Sequence, residues 1–213
     1  MVHGSEPAKY APIFCEGQQE KWLEGVFGSA TGFAVDVGAN DGTFLSNTLL
    51  AEKNGWTVLC IEANPGCEPA LRASRKRVEI CACASASADS ADFWINDECP
   101  PSGSSLRCCD EKFRKIQVPV RTVDELLVKH EFPRLDLLSI DVEHTDLDVL
   151  KGANLSKWSP AAIIVESLLD PQGQVIWGPD KEPSITAYLE PLGYRRVARC
   201  AHDLLFVKQF VGA

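Results

Sequence analysis

The chain has 213 residues, 45% of them hydrophobic, and its 21 basic against 30 acidic side chains leave a net charge of −9. Such a field repels a phosphate backbone unless a local basic patch overrides it, which argues against a nucleic-acid partner. No apolar run approaches the roughly 18 residues a membrane span needs and no charged-then-apolar leader opens the chain, so the reading is an unexported, cytoplasmic protein with no membrane partner.

The first strong signal in chain order is Phe33-Ala-Val-Asp-Val-Gly-Ala-Asn-Asp-Gly-Thr43, an apolar run that reaches Asp36 and breaks into a turn. It predicts a strand feeding a ligand-binding bend, because Gly38 and Gly42 lack a Cβ and let the backbone approach a ligand. Thr43 is placed to cap a helix in which Phe44, Leu45, Thr48, Leu49 and the stem of Glu52 recur at helical spacing, with Asn54-Gly55 as its stop. Trp56-Thr-Val-Leu-Cys-Ile61 predicts a second strand closing on Glu62, 24 residues after Gly38, where a βαβ unit puts the carboxylate that holds a ribose diol. Pro65 to Ser74 reads as a second helix. The basic cluster Arg72, Arg75, Lys76 and Arg77 at its end reads as a solvated face favourable to the helix dipole. Val78 to Cys83 predicts a third, short strand.

From Ala84 to Gln117 the pattern loosens into a long loop around Pro100, Pro101, Gly103, Ser104 and Ser105, interrupted by the strand-like Phe93-Trp-Ile95. Thr122-Val-Asp-Glu125 is a capping box opening the helix Leu126 to Lys129, and Leu135 to Ile140 reads as a buried parallel strand that ends at Asp141. Thr145-x-x-Asp148 is expected to cap the next helix, which buries Leu147 and Leu150 and stops at Gly152. Ala161 to Val165 predicts another buried strand ending at Glu166. A helix near Ser184 to Leu192 and two strands, Tyr194 to Ala198 and Leu204 to Lys208, follow; the short turn between the strands predicts antiparallel pairing. The alternation describes an α/β fold: a mostly parallel sheet, helices on both faces, and a hairpin at one edge. The 9 cysteines match no zinc spacing, so most are expected to be reduced core residues. Cys99, Cys108 and Cys109 share one loop where oxidation or metal binding is the alternative reading.

Asp36, Glu62 and Asp141 end three predicted parallel strands, and ligands of open α/β sheets bind outside those carboxyl ends. The turn after Asp36 is neither G-x-G-x-x-G nor a Walker loop, so a pyrophosphate has no cradle. Acid-rich turns suit a ligand that carries a ribose and a cationic amine, as S-adenosylmethionine does.

Val35-Asp-Val-Gly-Ala-Asn-Asp-Gly42, Cys60-Ile-Glu-Ala-Asn-Pro65, Val120-Arg-Thr-Val-Asp-Glu-Leu-Leu127, Leu138-Ser-Ile-Asp-Val-Glu143 and Val149-Leu-Lys-Gly152 together resemble the FkbM-type methyltransferases. The resemblance runs in order from Cys15 to Lys208. It implies a class I methyltransferase (Rossmann-like) fold with a mostly parallel seven-stranded sheet and an antiparallel C-terminal hairpin. A single methyltransferase domain over 1–213 is expected, with an N-terminal segment (1–30) ahead of the Rossmann-like core (31–210). The resemblance also implies S-adenosylmethionine as cofactor and O-methylation of a hydroxyl on a sugar or other small metabolite. Carried onto this sequence, Asp36, Gly38, Asn40, Asp41 and Gly42 form the loop under the methionine tail, Glu62, Ala63 and Asn64 contact ribose and adenine, and Ala84 and Ser85 flank the adenine. Cys15-Glu-Gly-Gln-Gln-Glu20 resembles the family's Ser-Gln-x-Gly-Gln-Asp segment, with Gln19 and Glu20 as the best-matched positions. His144 departs from the pattern by standing where the family has Gly.

Methyl transfer from a sulfonium is an in-line displacement in which positive charge disappears, so a carboxylate pressed on the sulfur would favour the ground state. The acids are therefore expected at the periphery: Asp36 toward the methionine ammonium, Glu62 toward the ribose, and Asp141 also within the cofactor site. Candidate bases for the acceptor hydroxyl are Asp141, Glu143, Glu166 and His144, with Asp141 or Glu143 favoured. No metal ligands are assigned, although a divalent ion bridging Asp141 and Glu166 would suit a diol. Asn96 to Leu106 and Asp170 to Pro183, with Trp177, read as substrate lids. Competing readings are an NAD-type oxidoreductase, a catalytically silent cofactor-binding domain, and a nucleic-acid methyltransferase. The sequence carries no signal for the oligomeric state.

Overall fold

A computed structural model describes residues 19–96, 104–107, 112–167, 181–200 and 202–209. In its first half the chain runs through α1 (Gln19–Phe27), β1 (Phe33–Val37), α2 (Leu49–Lys53), β2 (Thr57–Glu62), α3 (Glu68–Ser74), β3 (Val78–Ile80), β4 (Ala82–Cys83), β5 (Ala88–Ile95) and β6 (Arg114–Arg121). It continues through α4 (Val123–Lys129), β7 (Leu137–Ile140), α5 (Asp146–Gly152), α6 (Leu155–Trp158), β8 (Ala162–Glu166), α7 (Glu182–Leu189), β9 (Tyr194–Cys200) and β10 (Asp203–Lys208). No helix among the described residues is long and apolar enough to cross a membrane.

Seven strands form one sheet in the order β3-β2-β1-β7-β8-β10-β9. The first five are mutually parallel, and β10 runs antiparallel to both β8 and β9, as the short turn before it predicts. Alternation along each strand sends neighbouring residues to opposite faces. Val35, Val37, Leu59, Ile61, Leu138, Ile140, Ile163 and Val165 pack on one face against α4, α5, α6 and α7. Ala34, Val58, Cys60, Leu137, Ala162 and Ile164 pack on the other, against Leu23 of α1 and Leu71 of α3. With both faces covered, the central strands read as continuous apolar runs. The chain winds outward from β1 through β2 to β3, then returns to β7 on the other side of β1. The carboxyl ends of β1 and β7 therefore form a topological switch point, where their following loops part and leave a crevice.

Local chemistry explains where the elements differ from their sequence signals. The helix expected from Phe44 begins only at Leu49, because the Asp41 carboxylate accepts the Thr43 and Phe44 amides, both at 2.7 Å, and holds a turn there. Leu45 then takes a positive φ of 52°, and the Ser46 hydroxyl accepts the Thr48 and Leu49 amides at 3.3 and 3.2 Å. Side chains that satisfy backbone amides locally compete with a helix in this way. The expected strand Val78–Cys83 splits at Cys81: Ile80 pairs with Glu62 in the large sheet, while Ala82 and Cys83 pair with Val120 and Arg121 in a second sheet of order β4-β6-β5. That smaller sheet occupies much of the stretch read as loop, and it buries Phe93, Ile95, Val118 and Val120. The Thr122 capping box forms as expected, with reciprocal bonds of 3.1 Å between Thr122 and Glu125. Thr145 instead makes no side-chain cap to α5.

Gly152 is the last residue of α5 rather than a stop beyond it. A Cβ at Gly152 would lie 2.1 Å from the Ala84 carbonyl oxygen, so the helix can approach the smaller sheet only without a side chain there. Gly152→Ala should lower the unfolding free energy by about 1–3 kcal/mol, the range for overpacking. Exposed Gly25 of α1 has nothing within 4 Å of the same construction, so Gly25→Ala should raise it by about 0.5–1 kcal/mol. Urea unfolding of the two variants checks the pair.

Candidate functional site

At the switch point Asp36 of β1 registers with Ser139 of β7, and the Asp141 amide donates to the Val37 carbonyl at 2.9 Å. Beyond this bond the two chains almost touch. Gly38 has φ 89°, and a Cβ on it would stand 1.7 Å from the Asp141 carbonyl oxygen. The Gly38 and Ala39 amides turn the other way, toward the Ile61 carbonyl at 2.9 and 3.1 Å, tying the loop to β2. The cavity that opens above is lined by Asp36 to Asn40, Phe44 to Asn47, Ile61 to Ala63, Cys81 to Cys83, Phe93, Ser104, Leu106, Ser139, Asp141 to Glu143 and Thr145.

On the β2 side, Glu62 accepts the Asn40 amide at 2.8 Å through Oε2 and the Asn64 amide at 2.7 Å through Oε1. Burial raises its carboxyl above the usual range against the pull of the Asn64, Asn40 and Ala63 amides, and nearby Asp36 adds to the rise. A carboxylate offers about four lone-pair sites, so these three amides leave it acceptor capacity. Asp36 is held differently. Its Oδ2 accepts Thr48 Oγ1 at 2.5 Å and Ser46 Oγ at 3.3 Å, and lies 3.7 Å from the Arg75 guanidinium.

Arg75 overturns one sequence expectation, since its side chain is fully buried rather than part of a solvated basic face. It donates to Glu52 at 2.7 Å, to Thr48 Oγ1 at 2.7 Å, to Ser46 Oγ at 3.0 Å and to the Gly42 carbonyl at 3.1 Å. One guanidinium thus fastens the 42–48 loop to α2 and to the end of β1. Arg72 behaves as expected, pairing with Glu68 at the surface.

The β7 side is acidic. One carboxylate oxygen from each of Asp141, Glu143 and Glu166 lies within 4.8 Å of the others, a spacing that could hold a hard divalent cation. Asp141 lines this cavity and is exposed. Loss of hydration, then the charges of Glu166, Glu143, Asp203 and Asp146, push its carboxyl well above the usual range. Desolvation likewise carries Glu166 up to about 8, although Lys181 Nζ sits 2.9 Å away and opposes it. The buried Lys181 also holds Asp146 at 2.5 Å, and Asp146 in turn accepts the Val142 amide at 3.3 Å, shaping the turn that carries Glu143. Glu143 and His144 have φ of 54° and 74°. His144 thus occupies the left-handed conformation for which the resembling sequences use Gly. Burial and Lys181 lower its pKa, which favours the neutral imidazole.

Among the residues singled out from sequence, Asp36, Gly38, Asn40, Glu62, Ala63, Asp141 and Glu143 share the cavity, and Glu166 reaches their acid cluster from behind. Asp41, Gly42, Asn64, Ala84, Ser85 and Gln19 do not line it. Asp41 folds onto its own loop; its partial burial is outweighed by the Phe44 and Thr43 amides, which hold its carboxyl below the usual range. Asn64 caps the turn Pro65–Cys67. Ala84 backs onto Gly152. Gln19 lies beneath, donating to Asp203 at 2.7 Å, and Asp203 also accepts Asn47 Nδ2 at 3.1 Å. Asn47, Arg75, Lys181 and Asp203 lie outside the motifs quoted from the sequence, because what distinguishes them is long-range pairing. Ser105 Oγ donates to the Glu143 carbonyl at 2.5 Å, which brings the end of one expected lid to the acid turn. Trp177 and Cys15, Cys99, Cys108 and Cys109 lie outside the described residues.

A family profile described as the methyltransferase FkbM domain matches residues 36–196, more than half of the chain. A solved S-adenosylmethionine-dependent methyltransferase from Aquifex aeolicus aligns over 90% of this chain and 88% of its own, at 14% identity and a TM-score of 0.38. The small RNA methyltransferase HEN1 aligns over 98% of this chain at 13% identity and a TM-score of 0.45, and this chain spans 28% of that one. No curated protein matches.

Removing a buried cation while its acids stay is expected to cost about 3–5 kcal/mol. Arg75→Leu should lose that much stability, whereas Arg72→Leu, at an exposed pair, should change it by less than about 0.5 kcal/mol, as chemical denaturation can measure.

Proposed function

We propose that this chain, which belongs to the FkbM methyltransferase family, transfers a methyl group from S-adenosylmethionine to a hydroxyl of a small-molecule acceptor such as a sugar. The observation that carries the reading is the convergence of Asp36, Glu62 and Asp141, from three parallel strand ends, on one cavity at the switch point. The residues present fit such a cofactor. Asn47 Oδ1 is buried at the cavity wall with no hydrogen-bond partner among the described residues, which leaves an acceptor for an ammonium donor close to Asp36. Glu62 keeps acceptor capacity for a ribose diol, and the cavity's acids suit a cationic ligand better than a pyrophosphate. In this reading Gly38, Ala39 and Asn40 bear on the methionine portion, and Ala63 and Cys83 on the adenine. Asp41, Gly42, Asn64, Ala84, Ser85 and Gln19 act by shaping those contacts from outside the cavity.

Bound there, S-adenosylmethionine would supply an electrophilic methyl on a cationic sulfur. The chain's own contribution is alignment and proton transfer. Asp141 is assigned the acceptor proton, since its raised carboxyl is a stronger base than an ordinary aspartate once ionised. Glu143 orients the acceptor beside it, and Glu166 with Lys181 sets the local charge. A second reading places a divalent cation across Asp141, Glu143 and Glu166, favoured by their 4.8 Å spacing; activity unchanged by chelators would dismiss it. The −9 charge speaks against a nucleic-acid acceptor, and tight, salt-sensitive RNA retention would revive one. Binding of NAD without binding of S-adenosylmethionine would favour an oxidoreductase instead.

Titration calorimetry with S-adenosylhomocysteine, followed by a mass-spectrometric screen of hydroxyl-bearing acceptors for methyl gain, tests the proposal. Glu62→Gln should weaken S-adenosylhomocysteine binding roughly 10- to 100-fold, about 1.4–2.7 kcal/mol, with the fold intact. Asp141→Asn should leave that affinity within about threefold and lower kcat by about 10²–10⁴. Equal cofactor affinity in the two variants contradicts these roles. The raised Asp141 carboxyl also makes a pH prediction. The carboxylate is the active form, so kcat/KM should rise with pH along a limb centred above the ordinary aspartate range, and Asp141→Asn should abolish that limb.

A further inference from the structure

The bend that parts β3 from β4 has a consequence for the cavity's chemistry. Cys81 is the hinge residue, and its amide still donates to the Glu62 carbonyl at 2.9 Å while Cys83 already pairs with Arg121 in the smaller sheet. Because alternate residues of an extended chain face the same way, Cys81 and Cys83 both enter the core cluster beneath the large sheet, whereas Ala82 between them packs into the smaller sheet's cluster. Both cysteines are free, and both residues line the cavity beside Ile61, Glu62 and Ala63. They stand two residues apart on one face of the bend, and their mutual influence lowers the Cys81 thiol pKa and raises that of Cys83. Cys60 and Cys67, also free, lack this arrangement. Cys60 faces the opposite core, and desolvation pushes it far up; Cys67 is pushed up to about 12 by desolvation and then by Glu62 and Asp41, and neither lines the cavity.

We infer that Cys81 and Cys83 form a dithiol site on the cavity wall that chelates soft, thiophilic electrophiles, and that a chelated group and the adenosyl cofactor exclude one another. Two cysteines on one face, with a single residue between them along the bend and both lining the cavity, offer a bidentate soft donor set, and the apolar core around them favours a neutral product over separated thiolates. With a trivalent organoarsenical the step is redox-neutral. Two As–S bonds form, and the two thiol protons leave with the arsenic-bound oxygen as one water. The mutual exclusion rests on the methyltransferase reading; the dithiol site itself does not.

The probe is phenylarsine oxide, applied to the full chain carrying Cys99→Ser, Cys108→Ser and Cys109→Ser so that those cysteines do not compete. Peptide mass spectrometry should find one phenylarsenic group bridging Cys81 and Cys83. The adduct should withstand excess 2-mercaptoethanol and be removed by 2,3-dimercaptopropanol. Cys81→Ser or Cys83→Ser should each abolish the bridged adduct, and Cys67→Ser should keep it. S-adenosylhomocysteine should slow adduct formation at least tenfold, and the bridged protein should bind it at least tenfold more weakly. Absence of a bridge, or a bridge that survives either single serine substitution, overturns the dithiol site. A bridge that forms at the same rate with and without bound S-adenosylhomocysteine overturns the exclusion alone. Failure of the unmodified chain to bind S-adenosylhomocysteine, with the bridge still forming, would count against the methyltransferase reading and leave the dithiol site standing.

Discussion

The structure turns on a contact that leaves no room for a side chain: the Gly38 α-carbon against the Asp141 carbonyl, where a Cβ would stand 1.7 Å from the oxygen. Parallel strands β1 and β7 can remain hydrogen-bonded to their ends only if the loops leaving them pass this closely. Once past it they diverge, one anchored to β2 through Ile61 and the other turning into α5. The cavity is the space between them. Its position follows from sheet topology, and its width follows from a glycine with φ 89° that ordinary residues resist.

Two buried cations then sort the acids by task. Arg75 binds Glu52 and reaches Asp36, and Lys181 binds Asp146 and Glu166. Each costs several kcal/mol of desolvation in isolation, which neighbouring carboxylates and hydroxyls offset. The pairing is uneven, however. Glu62 is answered by amides rather than a cation, and Asp141 has acids around it. Both have carboxyls raised above the usual range, as has Glu166 beside Asp141, while Asp36 and Glu52 brace the loop through Arg75. Perturbed groups concentrated in a cleft are a mark of function, since structural acids are normally satisfied.

What could be read in the sequence follows the range of the interaction behind it. Strands β1, β2, β7 and β8 announced themselves because burial on both faces demands continuous apolar runs, and the strand-end acids came with them. The Thr122 capping box was legible because its partners are three residues apart. The helix expected at Phe44 was misplaced by competing bonds from Asp41 and Ser46, whose outcome hinges on Arg75, 33 residues beyond Gly42. Strand β6 was recoverable in principle, since Ile116, Val118 and Val120 alternate with polar or exposed neighbours, but Pro119 and charged flanks masked the period. Arg75 and Lys181 had no local signature at all. A cation's burial depends on acids brought to it by folding.

The acid cluster at the end of β7 is costly to the folded state, because raised carboxyl groups resist the ionisation they would enjoy in an unfolded chain. For Glu166, carried up to about 8, the stability is fully present below the unfolded value near 4.5 and is lost as pH rises through 8. A fold optimised for stability alone would place a cation or an apolar residue beside Asp141. Instead Lys181 pairs with Asp146 and Glu166, and Asp141 faces the cavity. A raised carboxyl left facing the cavity is what the proposed function asks of Asp141, to which it assigns the acceptor proton. Glu143 and His144 on the same turn hold positive φ, a strained conformation beside the acids that the proposed function uses.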